Sequence, residues 1–256
     1  MDIKEFRADT HQEVSHHPWE YARLEVVFSK LKDFLKTDSP VIVDVGCGDT
    51  FFLKNLSNKL PDADLIGIDI AFSDEMIQKF AGHKNIQLYK SMSDVGKKSA
   101  DIVLLLDVLE HIENDKDFLT QILHSKFVNE STVFIITVPA FKDIYIVRDK
   151  WLGHYRRYNL KMLKNLAEGT GLFVTHINYF FTTLFFARVM QKGVEFLAKP
   201  DINKLTGIGN YKKKPIFDYL FKNILLGDYY IGDIVSKTGF KLPGLSCMAV
   251  FTKREL

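Results

Sequence analysis

The sequence predicts an α/β fold in which helices flank both faces of a doubly wound, mostly parallel sheet of seven strands. Two observations lead to this prediction. Short runs rich in β-branched residues recur along the chain and are typical of strands that are buried on both faces. Segments with helical spacing of apolar residues separate most of these runs. Such alternation predicts right-handed crossovers and a parallel sheet.

The predicted strands are apolar runs that end at a glycine, a proline or a polar residue. They cover residues 41–46, 65–70, 86–88, 101–107, 132–138, 172–177 and 246–252. Helical spacing is found between them, over residues 51–60, 74–80, 108–123 and 160–167.

Two segments lie outside this alternation. Residues 1–39 precede the first strand and are predicted to form an N-terminal helical lid. Residues from about 180 to 242 separate the last two strands and are predicted to form a helical insertion. We therefore expect a lid over 1–39 and a single domain over 40–256, which carries the insertion as a cap.

The composition narrows the classes of function. The chain has 34 Lys and Arg against 32 Asp and Glu, and this balance does not favour a nucleic-acid partner. The two cysteines, Cys47 and Cys247, do not suggest a disulfide framework. The sequence shows neither an apolar signal segment near its start nor a run of about 18 apolar residues. These features predict a cytoplasmic protein.

A ligand-binding loop is predicted after the first strand. Its run Asp44-Val-Gly-Cys-Gly48 contains two glycines, which let the backbone turn tightly and approach a ligand closely. Asp69 ends the second strand, where a carboxylate can accept hydrogen bonds from both hydroxyls of a ribose. Because ligands of open α/β sheets bind beyond the carboxyl ends of the strands, we expect one shared site. The alternative is a glycine turn that only packs helix on sheet, with Asp69 as a helix cap.

Three motifs resemble those of class I S-adenosylmethionine-dependent methyltransferases, in the small-molecule bacterial branch of methyltransferase type 11/12. They are VDVGCG at 43–48, LLLDVLEHI at 104–112 and WLGHYRRY at 151–158. The resemblance implies a Rossmann-like fold and S-adenosylmethionine as the cofactor. One departure is Thr50, which stands where the family usually has glycine.

The resemblance also implies which residues hold the cofactor, all of them at the ends of the first four strands. Asp44, Gly46 and Gly48 would lie at the methionine part, Leu106 near the sulfonium, Asp69 at the ribose, and Ser91 and Met92 at the adenine edge. Asp107 would lie near the sulfonium, whose positive charge is favoured beside a carboxylate.

The acceptor side is predicted from polar residues after the fourth strand. Asp107, Glu110 and His111 share one helical face if a helix begins at Asp107. In one interpretation His111 is a general base tuned by a neighbouring carboxylate. In a second, these three residues and His154 bind a divalent metal. In a third, Glu110 caps backbone amides and His111 packs in the core. We predict Asp107, His111 and His154 as catalytic residues and expect no metal.

Two further segments leave alternatives open. Arg156 and Arg157 follow the fifth strand, and they either bind an anion or hold their loop by salt bridges. The stretch from about 180 to 226 is apolar and aromatic but contains lysines. It is predicted to cap the acceptor pocket or to meet a membrane surface, and the two roles can coexist.

Together these patterns predict methyl transfer from S-adenosylmethionine to an oxygen or nitrogen atom of a small-molecule or lipid-linked acceptor. The enzyme would work in the cytoplasm, with a peripheral contact to the inner face of a membrane as a further expectation and with no nucleic acid as partner. One alternative is a protein that binds the cofactor but has lost catalysis. A nicotinamide-dependent oxidoreductase is a weaker alternative, since Phe51 stands where that class has a third glycine.

Overall fold

The computed structural model describes residues 16–96, 98–198, 201–202, 205 and 211–254. Its strands are β1 Val41–Val45, β2 Asp64–Ile68, β3 Ile86–Tyr89, β4 Ile102–Leu106, β5 Val133–Pro139, β6 Phe173–Phe180 and β7 Ser246–Thr252. They form one seven-stranded sheet in the order β3-β2-β1-β4-β5-β7-β6. Strands β1 to β5 are parallel, whereas β7 is antiparallel to both β5 and β6. The predicted Rossmann-like, mostly parallel sheet is therefore confirmed.

Helices cover both faces of this sheet. In the described residues they are α1 Pro18–Lys32, α2 Phe51–Lys59, α3 Asp74–Phe80, α4 Asp115–Leu123, α5 Val147–Leu152, α6 Leu160–Thr170, α7 Thr182–Ala198 and α8 Pro215–Ser236. Helix α1 precedes the sheet, and α7 and α8 form the predicted insertion between β6 and β7. None of the helices within these described ranges is both long and apolar enough to cross a membrane.

The sheet is buried on both faces. Neighbouring residues such as Ile42 and Val43 belong to opposite cores, because successive side chains of a strand point to opposite faces. Helices α1, α2 and α8 contribute to one core, and α4 and α6 contribute to the other. Because β1 to β5 are parallel, the loops that follow them lie at one edge of the sheet, where the predicted site lies.

Helix α1 is an integral part of the folded body. The His17 ring caps it by accepting a hydrogen bond from the Trp19 amide, and Glu20 accepts one from the His17 amide. Its apolar face joins the core on one side of the sheet, and the helix packs against α8. The predicted lid also includes residues 1–15, which lie outside the described residues, so the lid over 1–39 stays a prediction.

The predicted helix over 108–123 is wrong as a continuous element. A 3₁₀ turn at Leu109–His111 follows β4, and α4 begins only at Asp115. Asp107 has a φ of +58°, in the left-handed region, so no helix begins there. Asn114 accepts a hydrogen bond from the Asp117 amide and caps the new helix. The assumption that one helical face carries Asp107, Glu110 and His111 is therefore wrong as well.

Candidate active site

A cavity of about 810 Å³ lies at the carboxyl ends of β1, β2 and β4. The sequence-predicted residues that line it are Asp44, Gly46, Gly48, Asp69, Ser91, Met92, Leu106, Asp107, Glu110, His111 and His154. Residues from α1 and α7 complete its wall. A second cavity of about 940 Å³ lies beside β6 and α8, and it is lined by none of these residues, all of which are described. The first cavity is therefore the candidate active site.

The loop after β1 depends on its glycines. Gly46 has a φ of +77° and Gly48 a φ of +57°, a region that glycine adopts without steric cost. A Cβ atom on Gly46 would lie 2.6 Å from the Cγ2 atom of Val108. Thr50 also has a positive φ, +65°, although it carries a side chain. The backbone therefore keeps the left-handed turn at the position where the family usually has glycine.

The tips of β1 and β2 are neighbours. The Gly48 amide donates a hydrogen bond of 2.9 Å to Oδ2 of Asp69, and the Ala71 amide donates one of 2.9 Å to Oδ1. The Gly46 amide donates to the carbonyl of Ile68 at 2.7 Å. Asp69 is buried, yet each carboxylate oxygen can accept a second hydrogen bond. The two loops thus converge on one point, as the sequence predicts.

Asp44 is a buried carboxylate that the chain leaves incompletely paired. Its Oδ1 atom has no hydrogen-bond partner within the described residues, although the side chain is almost fully buried. Burial is the main cause that raises the pKa of Asp44 to about 7; Arg23 lowers it, and Asp69 and Asp49 raise it further. A cationic ligand beside Oδ1 would supply the missing partner. The ammonium and sulfonium groups of S-adenosylmethionine fit this requirement.

The wall after β2 and β3 combines polar and apolar groups. Ser91 and Met92 follow β3, and Ile70 follows Asp69 with 93% of its surface exposed. An exposed isoleucine at the edge of a cavity is available to pack against a flat ring. Ile70 is not among the residues predicted from the sequence. The signal that could have identified it is an apolar residue directly after the acid that ends the second strand.

Asp107 is held by two partners. The Thr137 hydroxyl donates to its Oδ1 atom at 2.9 Å, and the Arg23 guanidinium forms an ion pair with its Oδ2 atom. Burial lowers the pKa of Arg23, while the nearby carboxylates, first among them that of Glu20, raise it. Helix α1 therefore brings a cation to a wall that is otherwise rich in carboxylates. The sequence places Arg23 only within a lid segment and does not predict this ion pair.

Three polar residues meet beyond β4. Glu110, His111 and His154 each offer one potential metal-ligating atom, and these atoms lie within 4.8 Å of one another. The rings of His111 and His154 meet edge to face, with centroids 4.6 Å apart. Within the described ranges Asp107 is not part of this cluster. The structure thus brings together three of the four residues of the alternative metal set.

Asp149 organises the other end of the cavity. Its buried carboxylate accepts hydrogen bonds from the Ile146 amide at 2.9 Å, from Arg157 Nε at 3.0 Å and from Arg188 Nη1 at 3.3 Å, and it contacts His154 Nδ1 at 3.1 Å. Burial alone would raise the pKa of Asp149, but His154, Arg157, the backbone and Arg188 lower it to about 2. The carboxylate therefore stays ionised and fixes its neighbours.

Arg156 and Arg157 both act within the protein. Arg157 donates to Asp149 and to the carbonyl of Ala140, and it is 3% exposed. Arg156 pairs with Asp115 at 2.8 Å. Of the two alternatives that the sequence leaves open, these contacts support salt bridges that hold the loop.

The fold and the site together define the class I S-adenosylmethionine-dependent methyltransferases. A glycine loop bonded to an acid at the next strand tip is an arrangement that binds an adenosine-containing ligand in Rossmann-like folds. The chain belongs to the methyltransferase-domain family, which it matches over residues 19–192. The cofactor of this class is S-adenosylmethionine.

Solved structures with a similar fold include several methyltransferases. Coclaurine N-methyltransferase bound to N-methylheliamine and S-adenosylhomocysteine aligns with a TM-score of 0.55 and 13% identity, over 91% of this chain and 70% of that one. The plantazolicin methyltransferase BpumL with S-adenosylhomocysteine aligns with a TM-score of 0.53 and 18% identity, over 93% of this chain and 85% of that one. At these identities the likeness shows the fold.

A curated relative is similar in sequence over part of its length. The ubiquinone biosynthesis O-methyltransferase of Rickettsia bellii is 26% identical over 131 residues, which make up 49% of this chain and 53% of the relative. The chain thus spans about half the length of the curated relatives that it matches.

Proposed function

We propose that this protein transfers a methyl group from S-adenosylmethionine to an oxygen or nitrogen atom of a small-molecule or lipid-linked acceptor. The observation that carries the proposal is the buried Oδ1 atom of Asp44, which lacks a partner beside a glycine loop that is bonded to Asp69. Family membership supports it and does not support the nicotinamide-dependent alternative. When bound, the cofactor supplies a methyl group on an electrophilic sulfonium.

Each part of the cavity has a role toward that cofactor. Asp44 accepts hydrogen bonds from the amino group of the methionine part, and Gly46 and Gly48 let the backbone come close to it. Asp69 binds the ribose hydroxyls with its remaining acceptor capacity. The residues at the adenine end are Ser91, Met92 and Ile70, and Leu106 lies next to the methionine part.

The chain's own groups then prepare the acceptor. His111 accepts the proton of the acceptor hydroxyl or amine, and His154, fixed by Asp149, stands edge-on beside it. Asp107 is a positioning residue, because its ion pair with Arg23 ties α1 to the end of β4. Residues 1–39 serve as a lid over the methyltransferase domain of residues 40–256, and α1 already contributes Trp19 to the cavity wall.

The chemistry of the acceptor follows from the wall that α7 provides. Phe181, Leu184 and Ala187 are apolar and line the cavity next to Arg188. Such a wall accommodates an apolar ring or chain with a small number of polar groups. The partial similarity to ubiquinone biosynthesis O-methyltransferases supports an oxygen atom as the methyl acceptor. A cytoplasmic location stays a prediction.

A thermal shift experiment tests the cofactor half of the proposal. S-adenosylmethionine raises the Tm of the unmodified chain, because a ligand at about 100 times its Kd adds about 2.7 kcal/mol of stability. Asp69→Asn loses most of this shift, whereas Asp62→Asn, an exposed acid outside the cavity, keeps it. No shift in the unmodified chain contradicts the proposal. Binding without release of S-adenosylhomocysteine on any phenol or amine offered indicates the inactive alternative.

A divalent metal held by Glu110, His111 and His154 is the second candidate for the acceptor side, and the closeness of their ligating atoms favours it. Calorimetric titration with Mg²⁺, Mn²⁺ and Zn²⁺ separates it from the general-base proposal. If His111 acts as a general base without a metal, titration with these ions gives no heat that depends on Glu110. A chelator then leaves the rate of methyl transfer unchanged. Heat that disappears in Glu110→Gln, with activity restored by one metal, would assign the cluster to metal binding.

A further inference from the structure

Helix α7 has its charged side chains turned toward the protein. Arg188 bonds to the buried carboxylate of Asp149, and Lys192 donates to the carbonyl of Tyr145. Glu195 accepts a hydrogen bond from the Val147 amide at 3.1 Å. A helix on the surface of a soluble protein normally shows the reverse arrangement, with charged residues facing water.

The opposite face of α7 is apolar and exposed. Phe186, Met190, Val194 and Leu197 follow helical spacing, which places them on one face. Met190 is 74% exposed and Leu197 is 82% exposed. Within residues 182–198, all of them described, the arrangement of charged and apolar faces is therefore inverted.

Helix α8 adds a longer apolar face of the same kind. Its exposed residues on one helical face are Ile216, Leu220, Ile224, Ile231 and Ile234. The three acids of α8 have partners: Asp218 accepts from the Lys214 amide, Asp228 accepts from the Thr183 amide, and Asp233 pairs with Lys237. We call the exposed apolar residues of α7 and α8 named here the outer stripe.

Positive charge lies at the N-terminal end of α8. Lys212, Lys213 and Lys214 are exposed and directly precede Pro215, the first residue of the helix. Exposed apolar area of this extent is a mark of an interaction surface rather than of a free one. An apolar face bordered by lysines is complementary to an anionic lipid surface, where the apolar side chains enter the acyl boundary and the lysines meet phosphates.

We infer that the outer stripe and Lys212–Lys214 form a docking surface for an anionic membrane. The inference rests on the proposed function, because a membrane surface matters to the reaction only if the acceptor is lipid-linked. Leu184, Ala187 and Gln191 line the cavity from the side of α7 that adjoins its exposed apolar face. One helix therefore carries both the exposed apolar face and part of the wall of the proposed acceptor pocket.

Vesicle sedimentation of the full chain tests the inference. The unmodified chain binds vesicles of phosphatidylglycerol mixed with phosphatidylcholine and binds vesicles of phosphatidylcholine alone more weakly. The double variant Leu220→Ser/Ile224→Ser loses about tenfold or more in vesicle affinity, because two side chains no longer enter the acyl boundary. The triple variant Lys212→Gln/Lys213→Gln/Lys214→Gln loses the preference for the anionic vesicles.

Phe173→Ser is the matched control, since Phe173 is an exposed apolar residue outside the outer stripe. It keeps the vesicle affinity of the unmodified chain. The inference is overturned if the unmodified chain does not bind anionic vesicles, or if the Leu220→Ser/Ile224→Ser variant binds them equally well. It is also overturned if the unmodified chain is a dimer that does not bind vesicles and the Leu220→Ser/Ile224→Ser variant is a monomer. S-adenosylhomocysteine binding, measured by calorimetry, reports on the proposed function separately and is unchanged in all these variants.

Discussion

Asp44 and Asp149 are both buried aspartates on the wall of the same cavity, but the chain treats them in opposite ways. Asp149 accepts from a backbone amide and two arginines and contacts a histidine, and its pKa falls to about 2. Asp44 has one oxygen without a partner among the described residues, and its pKa rises to about 7. The carboxylate of Asp149 thus has partners for both of its oxygens, whereas that of Asp44 has one oxygen without a partner among the described residues.

The difference separates structure from function. A buried carboxylate surrounded by donors stabilises the fold, because its partners compensate the cost of removing it from water. A buried carboxylate without enough donors costs stability, and a fold retains it when a ligand completes it. Asp149 therefore belongs to the framework that holds His154, and Asp44 belongs to the cofactor site.

Replacement of Asp149, the fully paired carboxylate, has the largest expected effect on stability. Asp149→Asn leaves the buried Arg157 and the partly buried Arg188 without their counter-charge, and we expect a loss of about 3–5 kcal/mol in the free energy of unfolding. Urea denaturation at pH 7 measures it. The depressed pKa means that the contribution of Asp149 is present above about pH 4 and is lost as the pH falls toward 2. The difference between variant and parent therefore shrinks in acid.

The matched change at the other end is Asp44→Asn. In the absence of cofactor it leaves the free energy of unfolding at pH 8 unchanged or raises it, since a poorly solvated charge is removed. A loss as large as that of Asp149→Asn would mean that the two carboxylates do not differ in the way described.

Asp44, the carboxylate with an oxygen unpaired within the described residues, is expected to make the largest contribution to cofactor affinity. Asp44→Asn replaces a charged acceptor by a neutral one, and hydrogen bonds to charged groups contribute about 1.5–3 kcal/mol. We expect the Kd for S-adenosylhomocysteine to rise by about tenfold to a hundredfold at pH 8. Isothermal titration calorimetry measures it, with Asp62→Asn as the control of equal charge change. An unchanged Kd would remove Asp44 from the site.

Thr50, in the loop after β1 that follows Asp44, gives the smallest expected effect. Its φ of +65° is strained for a residue with a side chain, and glycine relieves the strain at the expense of a more flexible unfolded chain. We expect Thr50→Gly to raise the free energy of unfolding by less than about 1 kcal/mol. Thr50→Ala removes the same hydroxyl but keeps the Cβ atom, and it brings no such gain. Equal stability of the two variants would contradict the strain.

The elements that were predicted correctly are those that local patterns control. The strand runs alternate with helical spacing, so the sheet and the convergence of Gly48 and Asp69 follow from chain order and from the rule for strand ends. The helix over 108–123 was wrong, because the left-handed Asp107 and the cap at Asn114 override the apolar spacing.

Contacts between distant segments could not be predicted. The ion pair of Arg23 with Asp107 joins α1 to β4, and nothing in either local sequence indicates it. Apolar spacing in α7 predicts an apolar face but does not show whether this face packs on the protein or points outward. The charged residues turn inward there only because Asp149 and the backbone near Tyr145 offer partners.

Proton release on cofactor binding tests the central claim most directly. At pH 6.5 Asp44 is mostly protonated, given its pKa of about 7, and pairing with the amino group of S-adenosylhomocysteine forces it to ionise. Calorimetry in two buffers of different ionisation enthalpy is predicted to show protons released by the unmodified chain and none released by Asp44→Asn. Equal proton release by the two proteins would contradict the claim that Asp44 is the carboxylate the cofactor completes.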